Sequence, residues 1–214
     1  LVHQAYMAAL RPPVNAGMVL DMADILSQYE YQALQQTVKK TDHFGAWLEW
    51  KKMVALERQA VSGFDMCVTV SDDDRTRLWQ IVPGAPAAVV PNGVDLTYFA
   101  PQDVEEEQDT LVFVGSMDYA ANVDAVLHFA SQILPLIKQQ RADVRLFVVG
   151  YGPPDQVIAL QSDPSIVVTG YVKDVRPFLA RAAVVVVPLR FGSGVRNKIL
   201  EGWAMGKAIV STSL

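Results

Sequence analysis

The sequence predicts an α/β protein built on doubly wound parallel sheets, and three observations carry that reading. Five short runs in the C-terminal half are apolar at nearly every position, as strands covered on both faces must be. The segments between them have the spacing of helices. Glycines close several of the runs, where a backbone turning beside a ligand needs room.

In the first half, Met18 to Leu20 and Met66 to Val70 are strand candidates. Between them Trp47 to Ala60 forms a long helix, with Trp47, Trp50, Val54 and Leu56 set among Glu49, Lys51, Lys52, Glu57 and Arg58. Ser71 caps a further short helix ending near Trp79. Ala87 to Val90 is an apolar strand, and Pro91-Asn92-Gly93 behind it turns the chain. Pro101 to Asp109, with Glu105, Glu106 and Glu107, has almost nothing to bury and reads as a solvated connector.

Beyond it the alternation is regular. Leu111 to Val114 ends on Gly115, and Asn122 to Ile137 is a helix with Val123, Val126, Leu127 and Ala130 on one face and Asn122 as its N-cap. Val144 to Val149 closes on Gly150, and Ile166 to Thr169 closes on Gly170. Val184 to Val187 and Ala208 to Ser211 complete the set. The expected organisation is a partial domain over residues 1–95, a linker over 96–110 and a second partial domain over 111–214. Both are expected to be truncated, since the first has too few strands and the second stops directly after a strand.

Composition narrows the function. Of 214 residues 51% are hydrophobic, enough for a sizeable core. A net charge of -5 argues against nucleic acid as a partner but permits a phosphate ligand, which needs one or two local cations. Cys67, the single cysteine, lies in an apolar run and reads as a buried hydrophobe, which fits a reducing compartment. The three histidines are scattered without metal-ligand spacing, so no metal site is expected. No apolar run approaches a membrane span in length, and no signal peptide is visible.

The stretch from Pro188 to Gly206 holds the chemistry. After the strand ending at Val187 comes the loop Gly192-Ser193-Gly194, and a helix starts near Val195 or Arg196. Arg196 and Lys198 then lie in its first turn, where the helix dipole disfavours each cation by about 0.3–1 kcal/mol. A diphosphate would offset that cost, because free amides, the dipole and two cations converge on it. The competing reading is that both cations pair with acidic neighbours. Glu201 shares a face with Asn197 and Lys198, and Leu200, Trp203 and Ala204 around it suggest an interior face. Its carboxylate suits a ribose diol. Gly115, before Ser116-Met117-Asp118, stands where a phosphate-approaching loop belongs, although an ordinary turn fits equally. Val149-Gly150-Tyr151-Gly152-Pro153 and Gly170-Tyr171-Val172 share that edge as base-walling loops or plain turns.

These segments together resemble the group 1 glycosyltransferases, a large retaining family of GT-B fold with two Rossmann-like domains. The resemblance is carried by Val90-Pro91-Asn92-Gly93-Val94-Asp95 with Phe99 and Pro101, and by Leu200-Glu201-Gly202-Trp203-Ala204-Met205-Gly206. Phe113-Val114-Gly115-Ser116-Met117 with Asn122, and Val172-Lys173-Asp174-Val175, also fit. Asp21, Ser27, Glu57, Asp65 and Val70-Ser71 fall where bacterial exopolysaccharide-assembly members carry similar residues.

The resemblance implies transfer of a sugar from a nucleotide-diphosphate donor to a glycan or lipid-linked acceptor, with retention, in the cytoplasm or at the cytoplasmic face of the inner membrane. It implies neither cofactor nor metal. Glu201 matches the second glutamate of the family's paired motif, the ribose ligand, while Ser193 stands where the first would be. Donor-sugar contacts then fall to the amides of Gly194 and Val195, and phosphate charge to Arg196 and Lys198, since Met117 occupies the place of the family's usual arginine. Gly115 and Val172 complete the expected donor-binding set. A nucleotide-sugar epimerase of the same fold would need further acid and base groups, and a non-catalytic nucleotide-binding fragment is the third reading.

Overall fold

The computed structural model describes residues 16–36, 40–192 and 194–213. They form two compact units. The first holds the described residues through Asn92 together with Phe191–Val195, and the second holds Gly93–Arg190 and the residues from Arg196 onward.

In the first unit, strands β1 (Val19–Met22), β2 (Met66–Thr69) and β3 (Ala87–Val89) form a parallel sheet in that order. Helices α1 (Leu26–Gln36) and α2 (Lys40–Ser62) lie between β1 and β2, and α3 (Asp72–Ile81) precedes β3. Leu20, Met22, Ile25, Ala60, Val61, Cys67, Leu78 and Ala85 make the core, and burial raises the pKa of the Cys67 thiol. Cys67 is thus the buried hydrophobe its apolar run predicts. Ser71 caps α3 as expected, its hydroxyl accepting from the Asp74 amide at 3.0 Å.

Two features of this unit escape the sequence pattern. The polar run Leu-Ser-Gln-Tyr-Glu-Tyr hides α1, and α2 starts earlier than its aromatic face suggests. Glu57 on α2 explains how α1 is held: its Oε1 accepts from the Ser27 amide at 3.1 Å. That carboxyl is 0% exposed, and burial raises its pKa against the hydrogen bonds it receives.

The second unit is a five-stranded parallel sheet ordered β6-β5-β4-β7-β8, with β4 Glu107–Val114, β5 Arg145–Val149, β6 Ile166–Gly170, β7 Ala182–Val187 and β8 Ala208–Ser211. The chain builds outward from β4 in one direction, then returns to its other side at β7. This is a doubly wound sheet with its switch point between β4 and β7. Each strand coincides with a predicted apolar run, but β4 begins at Glu107 rather than Leu111. Its first residues are exposed, so the acidic stretch supplies strand backbone as well as connector. Glu106 is also engaged, accepting from Lys207 Nζ at 2.5 Å.

Helix α4 runs from Ala120 to Lys138, and Tyr119, not Asn122, is its N-cap. Pro135 lacks the amide that would reach Ser131, and the helix answers with a π turn over Phe129–Ile133 in which the Leu134 amide bonds the Phe129 carbonyl. By length and composition α4 matches a membrane span, contrary to the reading that no such run exists. Ala121, Val123, Ala125, Val126, Phe129 and Leu134 are buried within the unit, so its apolar side serves the core. The remaining helices are α5 (Asp155–Ile158), α6 (Arg176–Arg181) and α7 (Asn197–Ala204).

Candidate donor-binding site

The C-terminal edge of the second sheet is where the backbone comes closest to itself. A Cβ on Gly150 would run into the carbonyl oxygen of Gly115. The Gly115 amide bonds Val149 at 3.0 Å, and the Gly150 amide bonds Gly170 at 3.2 Å. The three strand-end glycines therefore form one connected rim after β4, β5 and β6. Val172 is half-buried just past β6 on the same edge.

Lys198 reaches this rim from α7, across the switch point. Its Nζ donates to Asn122 Oδ1 at 2.7 Å and lies 4.3 Å from the centre of the Phe113 ring. Asn122 is 6% exposed, and its Nδ2 donates to the Ser116 carbonyl at 2.7 Å. A Cβ on Gly115 would stand 2.8 Å from both Lys198 Nζ and Asn122 Nδ2, so a glycine is required for the ammonium to sit here. Burial lowers the Lys198 pKa to about 8, Arg196 adds to the effect, and Glu201 opposes it. No carboxylate makes an ion pair with Lys198 among the described residues. For this residue the competing reading of an acidic partner gives way to a neutral amide and a ring.

Arg196 is the N-cap of α7, one residue before the first helical position. The helix therefore starts slightly later than predicted, with Lys198 in the first turn and no acidic residue there. Glu201 is half-buried, and burial raises its pKa while Lys198 lowers it. The predicted interior face is corrected: Trp203 is 62% exposed, and the helix meets the sheet through Gly202 instead. A Cβ on Gly202 would come within 2.5 Å of Ile209 Cδ1, so the glycine lies in close contact with the sheet, and Trp203 is turned outward.

The second unit thus brings together Gly115, Arg196, Lys198 and Glu201, with Val172 further along the edge. Ser193 lies outside the described residues. Gly194 and Val195 group with the first unit. There the Gly192 amide donates to Gln32 Oε1 at 2.7 Å, and Gly194 has φ +73° beside Asp24. Asn122, read as a helix cap and as part of the resemblance, and Phe113, read in an apolar run and in the resemblance, were given no part in holding Lys198 by sequence reasoning; nearby, Asp124 holds Arg190 beyond β7 with an Nε to Oδ2 distance of 2.8 Å.

The family described as "Glycosyl transferases group 1" matches residues 108–214. The chain is similar to the phosphatidyl-myo-inositol mannosyltransferase of Mycobacterium tuberculosis, with 30% identity over 154 residues covering 68% of this chain and 40% of that protein. Its structure is similar to sucrose-phosphate synthase from Thermosynechococcus elongatus, with a TM-score of 0.75 at 14% identity over 100% of this chain and 54% of that one. It is also similar to Anabaena Alr3699/HepE in complex with UDP and glucose, with a TM-score of 0.68 at 15% identity over 99% of this chain and 56% of that one. The chain spans less than two thirds of each of these relatives. At such identities the structural likeness speaks for the fold, and the two parallel-sheet units are of GT-B type. With half its length matched by the family, this chain is a member of the group 1 glycosyltransferases.

Proposed function

We propose that the chain binds a nucleotide-diphosphate sugar at the C-terminal edge of the second sheet and serves transfer of the sugar to a glycan or lipid-linked acceptor. The observation that carries this reading is Lys198, an ammonium held at the switch point on a neutral partner, beside an N-cap arginine and a helix N-terminus. The two cations attract the diphosphate, and Glu201 accepts from the ribose hydroxyls. When the bond between the anomeric carbon and the phosphate oxygen breaks, the electron pair goes to the diphosphate, whose charge Lys198 and Arg196 stabilise without metal. The acceptor hydroxyl oxygen then bonds the anomeric carbon with retention, and its proton passes to the departing diphosphate oxygen. Support for a uridine nucleotide comes from the Anabaena structures with UDP and UDP-glucose. Support for a lipid-linked acceptor comes from the mannosyltransferase, which is named for phosphatidyl-myo-inositol. The reading places the reaction in bacterial exopolysaccharide or cell-surface glycan synthesis, in the cytoplasm or against the inner face of the membrane. Calorimetry with UDP, GDP and their sugar conjugates tests it. Saturable heat with at least one is expected, and neither heat nor a thermal shift with any of them, for a folded chain, overturns it.

A further inference from the structure

Asn122 is an unusual partner for a half-buried lysine. A carboxylate at that position would hold Nζ more strongly, but it would also neutralise the charge that an incoming phosphate needs. The amide avoids this by dividing its two ends. Oδ1 accepts from Lys198 Nζ, and Nδ2 is committed to the Ser116 carbonyl, each at 2.7 Å. The second bond fixes which end of the amide faces the lysine. It also ties α4, the loop after β4 and α7 together at one buried point, across 76 residues of sequence. Phe113 supplies the floor beneath Nζ, and Gly115 leaves the space beside it.

We propose that Asn122 is the positioning residue of the donor site, holding Lys198 at the switch point as an undiminished positive charge for the diphosphate. The inference rests on the donor-binding reading above. The other charges around it do not replace this role. Arg196 and Glu201 lie on α7's own side of the contact, while Asp124 is paired with Arg190 and Asp118 accepts from the Ser116 hydroxyl.

The test is Asn122→Asp, nearly the same in shape but anionic, titrated with UDP, GDP and the matching nucleosides. An ion pair with the new carboxylate should cut nucleoside diphosphate affinity about tenfold and leave nucleoside affinity within about twofold. It should also move the alkaline loss of diphosphate binding above pH 8, because the carboxylate raises the lysine's pKa. In a Lys198→Met background the neutral Asn122→Ala should change diphosphate affinity by less than about twofold, since the shared interaction is gone. Asn122→Ala alone, which frees Nζ, should weaken diphosphate binding several-fold and serves should the Asp variant fail to fold. Wild-type diphosphate affinity in the folded variants, or a loss that persists undiminished without Lys198, overturns the role of Asn122 and leaves the donor site standing. Absence of diphosphate binding by the wild-type chain overturns the donor site itself, so the two failures are distinct.

Discussion

Moving an ammonium out of water costs free energy unless an anion accompanies it, and Lys198 meets an amide and a ring where that anion would stand. On the proposed reading a bound diphosphate would supply the missing charge. Arg196→Ala and Lys198→Ala should therefore each weaken nucleoside diphosphate binding by about 1.5–3 kcal/mol, the scale of a charged hydrogen bond. Nucleoside binding should hardly change, and calorimetry with both ligands makes the comparison. The pH dependence has a definite sign. Well below pH 8 Lys198 carries its proton before the ligand arrives and adds no pH dependence of its own; above it, binding must draw a proton from solution. Diphosphate affinity should fall as pH rises past about 8, approaching tenfold per unit for one linked proton, and Lys198→Met should remove that slope. Glu201 gives an independent test. Glu201→Gln should cost about 1–3 kcal/mol of donor affinity, and a 2',3'-dideoxy nucleoside diphosphate a similar amount against the wild type. If both changes remove one shared contact, their costs will not add. Additive losses would show that Glu201 does not touch the ribose.

Helices in this chain are positioned by single polar or glycine contacts as much as by apolar faces. Gly202 sets how closely α7 approaches β7 and β8, with Val185 Cγ2 at 3.5 Å from where its Cβ would be. In an exposed helix a glycine costs about 1 kcal/mol against alanine. Here an alanine Cβ would have to displace the Ile209 methyl before the helix could keep its place. Glu57 plays the corresponding part between α2 and α1. Its pKa is raised in the fold, so its contribution to stability is present below the ordinary value of 4.5 and lost as pH rises through the folded value. Glu57→Gln keeps an acceptor for the Ser27 amide and removes the buried charge. Its stability relative to wild type should rise between pH 4.5 and 8, as read by urea unfolding across that range. The opposite trend would mean that the ionised carboxylate stabilises the α1 start.

Across the whole molecule, the legible parts were those governed by periodicity. The five strands of the second unit are short apolar runs, and such runs stand out against helical segments with a polar side, although β8 is largely exposed in the fold. The site was legible as far as chemistry clusters in sequence: a glycine loop, cations at a helix start, a glutamate one turn on. Asn122 was not, because a polar residue near a helix start reads as a cap, and its partner lies in α7. The exposed first residues of β4 were hidden for the converse reason, since strand backbone there has no apolar side chains to announce it. We propose that Lys198, which makes no ion pair among the described residues, takes a nucleotide's diphosphate as its counter-ion. Thermal unfolding of the chain with UDP or GDP, against the matching nucleoside, tests it most directly. At ligand near 100 times Kd the diphosphate should stabilise the fold by about 2.7 kcal/mol, and Lys198→Ala should abolish most of that gain at the same concentration. An equal shift with the nucleoside, or an undiminished shift in the Lys198→Ala variant, would contradict it.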